Sequence, residues 1–228
     1  MNKRYPRLEI NLSALSHNVK EIVNACAEQG VAVTGVIKGV TGIPEVTKVF
    51  ADGGVEIIGS SRLEQLSDAK DYGIEKPLMM LRVPMLSEIE EVVSLCDYSL
   101  NSEISVLKAL NEEAAKQSKK HSVVMMVDLG DLREGFWDKS EFIDAVLRVE
   151  NEMDSLYLAG IGTNVGCYGS ILPTVEKLEE LAELANIIEA KIGRKLDIVS
   201  GGATSSVMRI IDKNIPQGIN SLRVGEAI

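Results

Sequence analysis

Lys38 and a glycine-rich turn near the end of the chain are the residues best suited to chemistry. Lys38 ends an apolar, β-branched run in the segment VIKGVTG, between Ile37 and Gly39. Burial at such a position lowers the pKa of a lysine and makes its amine nucleophilic, as in enzymes that form Schiff bases. The alternative is a lysine at a strand end whose ammonium reaches solvent while its methylenes lie along the protein.

The glycine-rich turn is the segment SGGATSS, Ser200–Ser206. Gly201 and Gly202 would allow backbone N–H groups to approach an anion closely, and Thr204 adds a hydroxyl just before a predicted helix, Val207–Ile211. These features indicate a phosphate site. The alternative is a glycine turn followed by a Ser/Thr helix cap, which needs no ligand.

An amine nucleophile and a phosphate cradle that face one ligand describe pyridoxal 5'-phosphate, whose aldehyde suits the lysine and whose phosphate suits the glycines. Arg223, two residues before Gly225, would then face the pyridine nitrogen. Because arginine holds its proton tightly, it would not fully protonate that nitrogen, and the ring would favour brief α-proton removal over transamination. The alternative for Arg223 is a surface salt bridge.

The other candidate residues carry weaker signals. His17 and His121 fall in predicted helix and loop segments, and no spacing of His, Cys and Asp residues indicates a metal site. Cys167 is either a reactive thiol or, as we predict, a small buried residue. Residues 116–121, KQSKKH, are predicted to form a solvated helix end.

Short apolar strands alternate with segments of helical period along the chain, the longest of which is Ile171–Ile192, and this alternation is typical of α/β proteins with a parallel sheet. Eight strands favour a closed (β/α)8 TIM-type barrel over an open doubly wound sheet, which needs only five or six. The active site of such a barrel lies at the carboxyl ends of its strands. The predicted strands are Val31–Lys38, Val55–Ser60, Pro77–Leu81, Tyr98–Asn101, Ser122–Leu129, Leu158–Asn164, Asp197–Ser200 and Ser221–Gly225.

Both ends of the chain depart from this pattern. Leu8–Leu12 alternates apolar and polar residues, which predicts an extra, half-buried antiparallel strand, and a helix capped by Ser13 or Ser16 follows it within residues 1–30. The chain stops at Ile228, directly after the last strand. We expect both ends to be edges of something larger. The alternative is an N-terminal strand that closes the barrel floor.

The composition excludes several classes of protein. Lys and Arg number 24 against 34 Asp and Glu, and the net charge of −10 argues against a nucleic-acid partner. The 45% hydrophobic content is too high for a disordered chain, and no apolar run approaches the ~18 residues of a membrane span. Three widely spaced cysteines indicate no disulfide framework. We expect a cytoplasmic protein that binds neither nucleic acid nor membranes.

The motifs in this order resemble those of the alanine racemase-like, fold-type III pyridoxal-phosphate enzymes, most closely the alanine/ornithine racemase branch. VIKGVTG resembles the motif whose lysine binds the cofactor, here Lys38. DLGDLREGF is similar to the segment whose arginine contacts the phenolic oxygen of the cofactor, here Arg133, and GIGTN places Asn164 against the pyridine ring, where alanine racemases carry histidine. By the same resemblance, SGGATSS and RVGEA imply cofactor contacts at Ser200, Gly202, Thr204, Arg223, Gly225 and Glu226.

The sequence also departs from the family. Gly42 stands where alanine racemases carry a tyrosine, and Met126 stands where some carry a carbamylated lysine. The family's second catalytic base is a tyrosine from the carboxyl-terminal β domain of the partner subunit, which this chain lacks. The resemblance implies that the leading strand joins that domain. We therefore expect residues 1–228 to form one barrel domain, the amino-terminal part of a longer, homodimeric enzyme.

The resemblance implies an amino-acid racemase, an isomerase whose preferred substrate is ornithine and whose next is alanine. Lys38 would act as one base at Cα and the missing domain would supply the other, so this chain alone would bind cofactor but racemise weakly. An acidic mouth of Asp128, Asp131 and Glu134 would receive a second ammonium group. The alternatives are a single-domain pyridoxal-phosphate homeostasis protein without strong catalytic activity, and a barrel whose phosphate loop binds another anion.

Overall fold

Eight parallel strands close into a barrel, in the order of the chain, in the computed structural model, which describes residues 6–167 and 171–228. The first strand pairs with both the second and the eighth, so the sheet has no open edge. The (β/α)8 barrel is therefore confirmed, and an open sheet is excluded. The strands are β1 (Ala32–Val36), β2 (Ile57–Ser60), β3 (Leu78–Met80), β4 (Tyr98–Asn101), β5 (His121–Met126), β6 (Leu156–Gly162), β7 (Ile198–Ser200) and β8 (Ser221–Val224).

Amphipathic helices cover the outside of the barrel. The longest begins at Val175 rather than at Ile171, because the Thr174 hydroxyl caps it by accepting from the Lys177 N–H. Across residues 6–167 and 171–228, no helix combines the length and the apolar character needed to cross a bilayer. The helices are α1 (Leu12–Ala27), α2 (Pro44–Asp52), α3 (Leu63–Asp71), α4 (Ile89–Leu95), α5 (Ile104–Lys116), α6 (Lys139–Glu152), α7 (Val175–Ile192) and α8 (Val207–Ile211).

The apolar core has two layers. A large layer lies between the strands and the helices, and a smaller cluster fills the barrel itself, with Met79, Leu100 and Met126 at its centre. Neighbouring residues of a strand point to opposite faces, and β2, β3, β5 and β6 contribute buried residues to both layers. At the carboxyl ends of β7 and β8 the buried side chains include the polar Ser200 and Arg223. The carboxyl mouth of the barrel therefore contains buried polar groups beside the apolar core.

The predicted strands run too far at their carboxyl ends. β1 ends at Val36 rather than at Lys38, β5 at Met126 rather than at Leu129, and β6 at Gly162 rather than at Asn164. Apolar residues such as Ile37, Val127 and Leu129 continue past the last strand residues because these segments remain buried against the barrel mouth. The candidate residues at these ends therefore lie in loops, whose conformation the strand pattern does not determine.

The predicted amino-terminal strand is wrong. Residues 6–11 form no strand, and 81% of the Leu8 surface is exposed. An alternating pattern indicates one apolar face, but a strand also needs a neighbour to pair its backbone N–H and C=O groups. No strand among the described residues pairs with this segment.

The predicted cap of the first helix is also wrong. α1 begins at Leu12, and its cap is Asn11, whose side-chain oxygen accepts hydrogen bonds from the N–H groups of Ser13 and Ala14. An asparagine directly before the first helical residue can reach these otherwise unpaired donors, whereas Ser13 and Ser16 lie inside the helix.

His121 is the first residue of β5 rather than a loop residue as predicted. Its side chain is 2% exposed, and its Nε2 lies 2.8 Å from the Ser99 Oγ. Burial disfavours the imidazolium and lowers the pKa of His121 to about 4. His121 lies at the amino end of its strand, away from the carboxyl mouth, so its contribution is to the stability of the barrel.

Acidification is expected to destabilise the protein through His121. Between pH 7.5 and pH 4.5, His121 of the unfolded chain binds a proton at the ordinary histidine pKa. In the folded chain His121 stays mostly neutral down to about pH 4. This difference lowers the free energy of unfolding by about 2 to 3 kcal/mol. Urea unfolding at the two pH values should show that His121→Gln removes this part of the pH dependence, whereas His17→Gln, at an exposed position of α1, keeps it. An unchanged pH dependence in His121→Gln would contradict the assignment.

Candidate active site

A cavity of about 680 Å³ opens at the carboxyl mouth of the barrel. A second cavity, of about 610 Å³, lies at the amino ends of β3 to β5 and holds none of the predicted site residues. Ser200 and Gly202 lie behind the lining of the first cavity rather than in it. The structure brings the other predicted residues together on its wall, and these are Lys38, Arg133, Asn164, Thr204, Arg223, Gly225 and Glu226.

Lys38 stands at the edge of this cavity. It begins a single turn of 3-10 helix, Lys38–Val40, that follows β1, and its side chain is exposed. The buried strand-end lysine expected from the apolar run is therefore not found. The amine is free to move within the mouth, because among the described residues it has no hydrogen-bond or ion-pair partner.

Arg223 is the most deeply buried cation of the mouth, with 6% of its surface exposed. Its Nη1 donates to the Ser200 Oγ at 2.6 Å and its Nη2 donates to the Thr163 carbonyl oxygen at 2.8 Å. Burial lowers the pKa of Arg223, while the negative charge of Glu134 opposes that effect. No carboxylate in the described part of the chain forms an ion pair with Arg223. The alternative of a surface salt bridge is therefore wrong.

A glycine makes room for this guanidinium. A Cβ on Gly162 would lie 3.2 Å from the Ser200 Cβ and 3.4 Å from the Arg223 Nη1, which is closer than most side-chain contacts. Ser200 in turn supplies the acceptor for Nη1. Residues at the ends of β6, β7 and β8 thus fix the position of the Arg223 side chain. Ser200 contacts Arg223 and does not itself line the cavity.

Thr204 and Gly225 form a small polar cradle on the same wall. The Gly225 N–H donates to the Thr204 Oγ1 over a long 3.4 Å, so neither group is strongly engaged. Gly225 must be a glycine, because a Cβ there would lie 2.5 Å from the Val36 carbonyl oxygen. Behind the cradle, Gly202 adopts a φ of 112°, which a side chain would disfavour. The backbone of both loops can therefore approach an anion closely.

Asn164 and Glu134 meet on the cavity wall, in the loops that follow β6 and β5. The Asn164 Nδ2 donates to the Glu134 Oε1 at 2.9 Å. The Asn164 Oδ1 is buried and has no hydrogen-bond partner within residues 6–167 and 171–228. A buried acceptor left unpaired is unfavourable, and the penalty is removed when a ligand supplies a donor.

Comparison with known proteins agrees with this arrangement. A model of the family described as "Alanine racemase, N-terminal domain" matches residues 10–228. The chain belongs to this family.

Relatives of this alanine racemase N-terminal domain include racemases of basic amino acids. The chain is 39% identical to the lysine racemase of Thermotoga maritima over 98% of this chain and 62% of that protein. It is 38% identical to the ornithine racemase of Acetoanaerobium sticklandii over 98% of this chain and 63% of that protein. The chain thus spans less than two thirds of the length of these relatives.

Solved structures share the fold of this domain. The alanine racemase of Clostridium difficile 630, in complex with cycloserine, superposes with a TM-score of 0.74 at 20% identity, over 95% of this chain and 58% of that one. The D-threo-3-hydroxyaspartate dehydratase of Delftia sp. HT23 superposes with a TM-score of 0.80 at 19% identity, over 99% and 61%. At these identities the likeness shows the fold alone.

Members of the alanine racemase family use pyridoxal phosphate, and the cavity of this domain fits that group. An aldehyde would meet the Lys38 amine, and a phosphate would meet the cradle of Thr204 and Gly225. A pyridine nitrogen would give the buried Arg223 an acceptor. The unpaired Asn164 Oδ1 lies within the same wall.

The predicted acidic mouth is only partly correct. The Asp128 carboxylate accepts hydrogen bonds from the N–H groups of Gly130, Leu132 and Arg133, at 2.7 to 3.2 Å, so it holds a loop together. Asp131 is buried and does not line the cavity. Of the three predicted acids, Glu134 alone faces the site. A short run of acidic residues after a strand can stabilise a loop by accepting hydrogen bonds from its N–H groups, and it indicates such a loop as readily as a ligand site.

Cys167 also departs from the prediction. We predicted a small buried residue, but the structure places the cysteine on the cavity wall as an exposed free thiol.

Apolar residues of the wall were missed by motif reasoning. Val36, Phe50, Leu81 and Leu100 line the cavity from the first half of the barrel. Val36, Leu81 and Leu100 lie in or beside the last residues of β1, β3 and β4. This position at the carboxyl end of a strand is the one feature of the sequence that indicates a place on the cavity wall.

Ser200→Ala is expected to lower the free energy of unfolding by about 2 kcal/mol, because it leaves a buried guanidinium N–H without its acceptor. Ser94→Ala removes an exposed hydroxyl of α4 and serves as the control, with an expected change within about 0.5 kcal/mol. Urea unfolding measures both. Equal stability of the two variants would show that Ser200 does not hold Arg223.

Proposed function

We propose that this chain is the pyridoxal-phosphate-binding barrel of an amino-acid racemase. The observation that carries the proposal is the buried Arg223, which has no carboxylate partner among the described residues and faces the same cavity as Lys38. A buried charge of this kind calls for a partner within the ligand. The relatives at 38–39% identity, which are named racemases, support the activity over a binding protein without catalysis.

Pyridoxal phosphate, when bound, withdraws electrons from the substrate Cα and makes its proton acidic. Lys38 would hold the cofactor through its aldehyde carbon. With the substrate in place, the Lys38 Nζ would take the proton from Cα and return it. The exposed position of Lys38 beside the cavity gives the amine the freedom that both tasks need.

Arg223 would donate a hydrogen bond to the pyridine nitrogen and keep its own proton. Ser200 and the Thr163 carbonyl hold the guanidinium so that it cannot move away. By keeping its own proton, Arg223 would leave the ring nitrogen unprotonated and would thereby favour return of the proton to Cα over its transfer to another atom. Thr204 and the Gly225 N–H would bind the phosphate, with Gly202 shaping the loop behind them.

Racemisation needs a second acid–base group on the other face of Cα. We propose that sequence outside this chain, in a homodimeric enzyme, supplies that group. The relatives are longer than the matched region, which leaves room for such a domain.

We propose ornithine as the preferred substrate, with alanine the next candidate. The lysine and ornithine racemases share 38–39% identity with nearly the whole chain, whereas the alanine racemase 2 of Caldanaerobacter subterraneus shares 27% over 69% of it. The net charge of −10 also favours a cationic substrate.

Addition of pyridoxal phosphate should produce a visible absorbance band near ~420 nm, the signature of a cofactor joined to a lysine. Lys38→Ala should lose the band, because it removes the amine. Lys48→Ala, at an exposed position of α2, should keep it. A folded wild-type protein without the band, or a Lys38→Ala variant that retains it, would contradict the cofactor assignment.

The full-length holoenzyme, which includes the second acid–base group, should abolish the optical rotation of L-ornithine with time and act on L-alanine more slowly. Polarimetry with the two amino acids measures both rates. Lys38→Ala in the full-length protein should show neither change. If the full-length wild-type holoenzyme turns over neither amino acid, the racemase proposal fails and a cofactor-binding protein remains.

A further inference from the structure

Glu134 is a carboxylate of the cavity whose charge has no ion-pair partner among the described residues. Its Oε1 accepts from the Asn164 Nδ2, while no lysine or arginine lies within ion-pair distance. The negative charge of Glu134 acts to raise the pKa of Arg223, although the two side chains form no ion pair. A carboxylate on a partly buried wall gains most from a ligand that carries a positive charge.

The loop that carries Glu134 is firmly held. Beyond it, the Phe136 N–H donates to the Met126 carbonyl at 2.9 Å, and the Asp128 N–H donates to the Phe136 carbonyl at 3.0 Å. Gly135 adopts a φ of 113°, and a Cβ there would lie 2.5 Å from the Asp128 nitrogen. Together with the three N–H groups bound by Asp128, these contacts fix the backbone on both sides of Glu134.

Glu226 is the other carboxylate of the wall, and its place suits a cation less well. It is exposed and follows Gly225, beside the cradle that would hold a phosphate. Glu134 lies after β5, three strands around the barrel from β8. A cation bound at Glu134 would be separate from the phosphate. A cation bound at Glu226 would compete with Thr204 and Gly225 for the phosphate.

The rest of the wall suits a hydrocarbon chain. Val36, Phe50, Leu81 and Leu100 line the cavity that Glu134 also faces. Apolar side chains favour the burial of methylene groups. The cavity thus combines an apolar surface with a fixed carboxylate, which matches an aliphatic side chain that ends in an ammonium group.

We infer that Glu134 is a specificity-determining residue that binds the side-chain ammonium of a diamino acid. The inference rests on the proposed function, because it takes the α-amino group of the same substrate to be bound at the cofactor. The Asn164 Nδ2 holds one carboxylate oxygen, and the other oxygen accepts from the ammonium.

The test compares L-ornithine with L-norvaline, which has the same carbon chain without the terminal amine. Each is titrated into the holoenzyme, and its Kd is read from the change in cofactor absorbance. Glu134→Gln keeps an acceptor for Asn164 and removes the charge. It should weaken ornithine binding about 10- to 100-fold, the range for loss of a charged hydrogen bond. Norvaline binding should change less than about twofold, and kcat/KM for ornithine should fall mainly through KM.

Glu179→Gln, at an exposed position of α7, removes one negative charge far from the mouth and controls for net charge. It should leave both Kd values unchanged. If Glu134→Gln weakens ornithine and norvaline binding by the same factor, Glu134 acts only through Asn164 and the inference is wrong. Unchanged ornithine binding would also overturn it.

The binding titration separates this inference from the proposed racemase. A holoenzyme that racemises nothing, but prefers ornithine over norvaline in a way that depends on Glu134, would retain the ammonium site and lose the racemase proposal. A holoenzyme that racemises ornithine equally well with Glu134→Gln would retain the racemase and lose the ammonium site.

Discussion

The buried guanidinium of Arg223 sets the requirements for the whole mouth of the barrel. A charge in so dry a place is tolerated only when its donors are satisfied, and Ser200 and the Thr163 carbonyl satisfy two of them. Gly162 leaves the space that the guanidinium occupies. No carboxylate of the described chain pairs with Arg223, and in the proposed function a ligand supplies the further acceptor. Lys38, Thr204, Gly225 and Asn164 line the same cavity as Arg223.

The barrel provides this arrangement because the carboxyl ends of parallel strands meet at one mouth. Neighbouring strands contribute the residues that hold Arg223, and the loop after β5 brings Arg133 and Glu134 to the same cavity. That loop is rigid because Asp128 collects three of its N–H groups. Asp128, which the sequence suggested for substrate, thus stabilises the loop, while Glu134 lines the cavity and is proposed to bind the substrate. Lys38, Arg133 and Arg223 supply positive charge to the cavity wall, and Glu134 and Glu226 supply negative charge.

Sequence patterns predicted the number and order of the strands and the side of the barrel that holds the site, because periodicity and chain order follow from local physics. They failed where the outcome depends on a neighbour. The alternation at residues 8–12 predicted a strand, yet no strand of the described chain pairs with it. Lys38 lies in a turn and is exposed, and Cys167 lies open in the mouth, because loop conformation is determined by tertiary contacts. The hydrogen bond between Asn164 and Glu134 joins residues 30 positions apart in the sequence, and neither motif predicts it.

Arg223 is proposed to face the pyridine nitrogen of pyridoxal phosphate and to leave it unprotonated. The nitrogen-15 NMR shift of that atom can be measured in holoenzyme prepared with labelled cofactor. The wild type should show the shift of an unprotonated, hydrogen-bonded nitrogen, and Arg223→Met should show a different shift. The shift of a protonated pyridinium in the wild type, or the same shift in both proteins, would exclude this role of Arg223.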